Sequence, residues 1–194
     1  ILLIGIISFS FQGQVIAQDA NKEITLEKIF KQRTFSPSMV YGIKSMNDGE
    51  HYCTIKKGNI EEFSYKTGDK VGTIVTSSKI VYNEDTLRIS SYNFSQDEKK
   101  IIFPTETEYI YRHSSKSNYY IWDIEKETLS ALSEDGKQRL ATFSPDGTMV
   151  AFVRENNIFI KDLESGSATQ VTEDGLFNNI IYGTADWVYE EEFA

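Results

Sequence analysis

Phe143-Ser144-Pro145-Asp146-Gly147, followed by Met149-Val150-Ala151-Phe152-Val153, decides how the rest of the chain is read. Pro presets φ for a turn, Asp folds its side chain back onto the backbone, and Gly accepts φ > 0. The run after it is rich in β-branched and aromatic residues, so it reads as a strand entered from a hairpin turn. The same arrangement occurs twice upstream. Ser45-Met46-Asn47-Asp48-Gly49 precedes His51-Tyr52-Cys53-Thr54-Ile55, and Phe94-Ser95-Gln96-Asp97-Glu98 precedes Lys100-Ile101-Ile102-Phe103. Asp48, Asp97 and Asp146 stand 49 residues apart each time.

Working outward, each unit continues into a third strand-like run. These are Ile60–Tyr65, Asn118–Ile124 and Asn157–Leu163. Polar turns follow at Lys66–Asp69, Glu125–Thr128 and Glu164–Ser167, and a fourth run closes the unit, as in Val71–Val75. Four short antiparallel strands at a period of 40–50 residues are the pattern of propeller blades. A non-repetitive β-sandwich is the competing reading, and three aspartates in register with matching flanks weigh against it. The expected class is all-β, a partial β-propeller of four-stranded antiparallel blades.

The middle unit is longer than its neighbours, because Pro104–Ser117 is extra. Insertions into single repeats map to loops on one face, often the binding face. Arg112 and His113 fall in this expected loop, although composition alone also fits Arg112 as a solvated surface residue.

Composition sets limits. The 40% hydrophobic content of the 194 residues supplies a core, so disorder is excluded, and 13% aromatics lean towards strands. A net charge of −9 argues against a nucleic-acid face. One Cys excludes an internal disulfide and a Cys-rich zinc site. His51 and His113 lack the spacing of a zinc-protease helix, and no ligand cluster implies a metal or other cofactor.

Ile1–Ala17 carries no charge and ends in small residues at the positions a signal peptidase reads. It is expected to be a secretory signal peptide, with a buried N-terminal strand or helix as the alternative. Export would place the mature chain in a periplasmic or extracellular space with no membrane span, and Cys53 would be an unpaired, buried thiol. Residues 18–40 then form a connecting segment and 41–194 the propeller part.

The last feature is Asp186-Trp187-Val188-Tyr189-Glu190-Glu191-Glu192-Phe193. Strand side chains alternate faces, so neighbouring glutamates reach one point only from a helical turn or an irregular loop. Converging carboxylates repel, and a primary ammonium with three N–H donors would relieve that repulsion. A solvated acidic run is the plainer alternative.

This acidic stretch resembles the double-glutamate motif of the dipeptidyl peptidase IV family, serine exopeptidases built from a β-propeller and an α/β-hydrolase domain. Three other segments resemble the family in order: Ile24–Phe30 its mature start, Tyr41–Tyr52 its first blade, and Tyr111–Ser114 with Tyr119–Asp123 its arginine loop. The resemblance implies that Glu191 and Glu192 bind the substrate's free amino terminus, that Glu190 has a lesser role, and that Arg112 binds a substrate backbone carbonyl. It implies an eight-bladed ring, of which three to four units of 49 residues fit here, and a homodimer in the whole protein. A G-x-S-x-G nucleophile elbow, which the resemblance places in the family's hydrolase domain, does not occur in these residues. The expectation is therefore an N-terminal fragment without the triad, inactive alone, from an enzyme that releases X-Pro or X-Ala dipeptides. A prolyl tripeptidyl peptidase of the same clan and a non-catalytic periplasmic peptide-binding propeller are the alternatives.

Overall fold

The computed structural model describes residues 24–37, 39–40 and 42–193, so the leader-like stretch Ile1–Ala17 lies outside the described residues. The chain divides into two compact units, Ile1–Met39 and Val40–Ala194. In the first, Glu27–Lys31 forms one π-helical turn. Thr25 Oγ1 accepts from the Lys28 amide at 3.1 Å, and Lys31 pairs with Glu27 at 3.2 Å.

The second unit holds three four-stranded antiparallel sheets, each built from one repeat and each in chain order. The first comprises β1 (Lys44–Ser45), β2 (His51–Lys56), β3 (Asn59–Ser64) and β4 (Lys70–Val75). A two-stranded hairpin, β5 (Val81–Tyr82) with β6 (Asp85–Thr86), follows in sequence. The second sheet comprises β7 (Asn93–Phe94), β8 (Lys100–Tyr109), β9 (Ser115–Asp123) and β10 (Thr128–Ala131). The third comprises β11 (Arg139–Phe143), β12 (Met149–Arg154), β13 (Asn157–Asp162) and β14 (Ala168–Gln170). These are the blades of a partial β-propeller.

The repeated aspartates make the same turn for the same reason. Ser144 Oγ donates to Asp146 Oδ1 at 2.6 Å and accepts from the Met149 amide at 2.9 Å. Ser95 does likewise, with Asp97 Oδ1 at 2.6 Å and the Lys100 amide at 3.0 Å. Asp48 accepts from the amides of Glu50 and His51 at 2.8 and 2.9 Å. The Ser144 hydroxyl, with the amide and hydroxyl of Thr148, pulls the Asp146 carboxyl down to about 2. Each turn thus satisfies backbone donors that a bare loop would leave to water.

Alternation along the strands stacks the blades. In β8, Ile101 and Phe103 face a core with Cys53, Ile60, Val75 and Tyr92 from the first blade region. Ile102, between them, faces the opposite core with Val150, Phe152 and Phe159 of the third blade. On β9, Trp122 joins the first core and Ile121 the second. A strand buried on both faces serves two interfaces because its side chains have a period of two. Cys53 is fully buried, and burial, followed by the charges of Glu62, Glu98 and Asp48, pushes its thiol up to about 12.

The expected loop over Pro104–Ser117 requires correction. It is a lengthened hairpin, in register from Lys100↔Asp123 to Tyr109↔Ser115 with a shift between Thr105 and Glu108. Thr, Glu and Tyr alternate through Thr105–Tyr109, which suits a projecting two-stranded ribbon. Only Ile110–Ser114 at the tip lies outside the strands. After β14 the chain turns back across the third blade. Tyr182 N donates to Asn156 O at 3.0 Å, and Gly175 N donates to Asn157 Oδ1 at 2.9 Å. This return segment delivers Asp186 to the hairpin tip. Among the described residues no helix is long and apolar enough to cross a membrane.

Candidate functional site

Trp187–Glu192 forms a short helix, α1, so the helical-turn option for the glutamates is the one realised. Asp186 caps it, its Oδ1 accepting from the amides of Val188 and Tyr189 at 2.9 and 3.2 Å. That cap fixes where the helix starts, and hence where each glutamate points. Tyr111 of the hairpin tip packs edge-on against Trp187, ring centres 6.2 Å apart.

The three consecutive glutamates have three different partners. Glu191 is buried, 3% exposed. Its Oε1 accepts from Ser114 N at 3.0 Å and Ser114 Oγ at 2.5 Å, and its Oε2 accepts from His113 N at 2.9 Å. Burial would push this carboxyl up, but the Ser114 hydroxyl and the two amides outweigh burial and hold it below its ordinary value. Glu192 is paired with Arg112 at 2.5 Å, and the same Nη2 donates to the Glu191 carbonyl at 3.3 Å. Glu190 is paired with Arg139 of β11.

Arg112, Glu191 and Glu192, singled out from the sequence, are therefore brought together across about eighty residues of chain. They do not play equal parts. Glu191 is enclosed by the hairpin tip, whereas the Glu192 and Arg112 side chains are 46% and 67% exposed. Sequence reading assigned no role to Ser114, although it stands beside Arg112 in the quoted segment. It gave no signal at all for Arg139, which ordinary strand sequence surrounds. His113 contributes its backbone amide.

Three carboxylates against the guanidiniums of Arg112 and Arg139 leave one excess negative charge. The negative end of the α1 dipole adds to it. Oε1 of Glu191 has both lone pairs used, while Oε2 of Glu191 and both oxygens of Glu192 retain acceptor capacity. Arg112 keeps N–H groups beyond the Nη2 that is engaged. The arrangement can accept one cation with several N–H donors and donate to a neighbouring carbonyl. Beside it runs a groove lined by Ile110, Lys116, Arg139, Arg154, Phe177 and Ile181. Among the described residues no cluster of side chains could hold a metal ion.

Residues 95–194 match the family described as the dipeptidyl peptidase IV N-terminal region. The probable dipeptidyl-aminopeptidase B of Emericella nidulans is 32% identical over 187 residues, covering 89% of this chain and 20% of that protein. That of Neosartorya fischeri is 40% identical over 188 residues, covering 89% and 20%. The crystal structure of Porphyromonas gingivalis dipeptidyl peptidase 4 superposes with a TM-score of 0.76 at 39% identity, covering 89% of this chain and 25% of that one. The chain thus spans about a fifth of the length of the curated relatives it matches.

Proposed function

The chain belongs to the dipeptidyl peptidase IV family, as part of its N-terminal propeller region, and from that premise we propose that the whole protein is a serine exopeptidase releasing X-Pro or X-Ala dipeptides from peptide amino termini. The observation that carries this reading is the capped α1 helix, which presents Glu191 and Glu192 beside Arg112 with one unmatched negative charge. A peptide's terminal ammonium supplies the missing positive charge and three N–H donors. Glu191, locked by Ser114 and His113, acts as a fixed buried charge, and Glu192 offers the open acceptor face. Arg112 keeps its pairing with Glu192 and donates a free N–H to the first backbone carbonyl of the substrate.

Such an anchor works as a ruler. Holding the ammonium at a set distance from a nucleophile presents one peptide bond to it and excludes longer reaches. In this reading the serine, its histidine and its aspartate belong to the remainder of the protein, and these residues alone are inactive. Export to a periplasmic or extracellular space rests on the uncharged apolar run Ile1–Ala17. Homodimerisation rests on the family likeness.

The test is made in the full-length protein with an X-Pro amide and its N-acetylated counterpart. Glu191→Gln and Glu192→Gln are each expected to lower kcat/KM by about a hundredfold. The acetylated substrate, lacking the ammonium, is expected to resist wild type and variants alike. Wild-type kinetics in both variants would overturn the assignment. Mass spectrometry of products from a labelled hexapeptide separates release of two residues from release of three.

A further inference from the structure

Arg139 lies outside the ammonium anchor, yet its guanidinium pairs with the first glutamate of the triplet. Three local features converge on it. The β11–β12 register shifts between Arg139 and Thr142, and Leu140 adopts φ 53°. A β-branched or bulky residue with φ > 0 is a costly irregularity, and Leu140 is neither Gly nor Asn. A bulge of this kind re-aims a neighbouring side chain. Second, Arg139 Nε is buried with no hydrogen-bond partner among the described residues, which costs desolvation energy that a purely structural contact could avoid. Third, α1 carries three glutamates and no basic residue, and Glu190 lies in its first turn, so the cation that pairs with Glu190 comes from another element.

The remaining contacts of α1 described above run to the hairpin tip of the second blade. Glu191 and Glu192 reach Ser114, His113 and Arg112, all within five residues of one another. A six-residue helix fastened along one side can roll about that side. Arg139 on β11 fastens it from the third blade.

We propose that Arg139 is a positioning residue, which through Glu190 fixes the roll of α1 so that Glu191 stays seated in the hairpin tip and Glu192 stays open to an incoming ammonium. The proposal deepens the dipeptidyl peptidase reading and rests on it for its kinetic consequence, though not for its structural one. Its two parts are distinguishable. The bent β11 strand and the strained Leu140 serve to aim Arg139, and the pair it makes neutralises the glutamate that does not face the substrate. Without it Glu190 would compete as a third, misplaced carboxylate.

The experiment uses the full-length protein and the variants Arg139→Ala, Arg139→Lys, Glu190→Ala and the Arg139→Ala/Glu190→Ala double. Hydrogen–deuterium exchange is read on peptides covering 110–115 and 149–162, alongside kcat and KM for an X-Pro amide. Arg139→Ala is expected to speed exchange at the His113 and Ser114 amides at least fivefold while 149–162 is unchanged. It is also expected to raise KM about tenfold with a smaller change in kcat. Arg139→Lys, which keeps the charge but not the planar fork, is expected to recover part of both. The double variant is expected to match Glu190→Ala alone, because Arg139 acts through that partner. Unchanged exchange at 110–115 in Arg139→Ala, or additive losses in the double variant, would overturn the proposal. If Glu191→Gln leaves peptidase activity intact, the functional reading has failed, and the exchange at 110–115 alone decides the role of Arg139: faster supports it, unchanged refutes it.

Discussion

Glu191 keeps its charge in a buried place because its neighbours spend their donors on it. The opposing effects have known signs. Burial raises its pKa, while the Ser114 hydroxyl, then the His113 and Ser114 amides, lower it further than burial lifts it. Replacing Ser114 with Ala removes the side-chain donor and leaves burial less opposed, so the Glu191 pKa is expected to rise. Ammonium binding needs the ionised carboxylate, so the acid limb of the kcat/KM profile is expected to move to higher pH. A group whose folded pKa lies below its ordinary value of 4.5 contributes stability above that pH, and the contribution fades as pH falls through the folded value. Ser114→Ala is therefore expected to be less stable than wild type at pH 7, with the difference shrinking as pH falls below the ordinary carboxylate range, measured by denaturant unfolding. An acid limb that does not move would show that Ser114 leaves the carboxyl untouched. Arg112, Glu191 and Glu192 were singled out in the sequence by their likeness to family motifs, since charge and neighbours alone fitted a solvated arginine and a solvated acidic run as well. Ser114 and Arg139 were not, since a serine and a strand arginine acquire meaning only from what folding sets against them.

The return segment between β14 and α1 shows how close backbone packing, together with the Asn157 side chain, carries the glutamates to their place. A Cβ on Gly175 would sit 2.4 Å from the Asn156 carbonyl oxygen and 2.7 Å from Asn157 Nδ2. The contact is with the backbone of the β12–β13 turn, which cannot swing aside as a side-chain tip would. Gly175→Ala is therefore expected to cost about 1–3 kcal/mol by overpacking, read as a lowered unfolding midpoint at unchanged slope. Stability within a few tenths of a kcal/mol of wild type would mean the segment does not lie on that turn. The Asp turns at 48, 97 and 146 could be read from sequence because local residues alone determine them: a carboxylate and two amides close each turn within six positions, joined by a serine hydroxyl at 97 and 146. The hairpin at 104–117 was misread for the opposite reason. Its strands are stabilised by each other, as in Glu108 with Lys116 at 3.0 Å, and insertion length by itself does not distinguish a loop from a ribbon.

At the scale of the molecule, successive blades pack face to face around a propeller arc, and each interface has its own core. The repeat made that arrangement legible, since a blade cannot bury both faces alone. Which interface carries the site was not legible, because α1 touches the second blade's hairpin and the third blade's β11, elements far apart in sequence. That geometry separates two effects that are usually confounded. Phe103 and Phe152 are both buried, at 0% and 2% exposure, and truncation of either to Ala is expected to cost about 3–5 kcal/mol. Phe103 packs in the core between the first and second blades, and Phe152 in the core between the second and third. Loosening the second interface lets Arg139 shift relative to Ser114, whereas loosening the first leaves both anchors of α1 on blades that still fit each other. In the full-length protein, at a temperature where both variants stay folded, Phe152→Ala is expected to raise KM for an X-Pro amide several-fold. Phe103→Ala, equally destabilised, is expected to keep KM within twofold of wild type. Equal KM changes in the two variants would mean that the site responds to global stability and not to the seam that α1 spans.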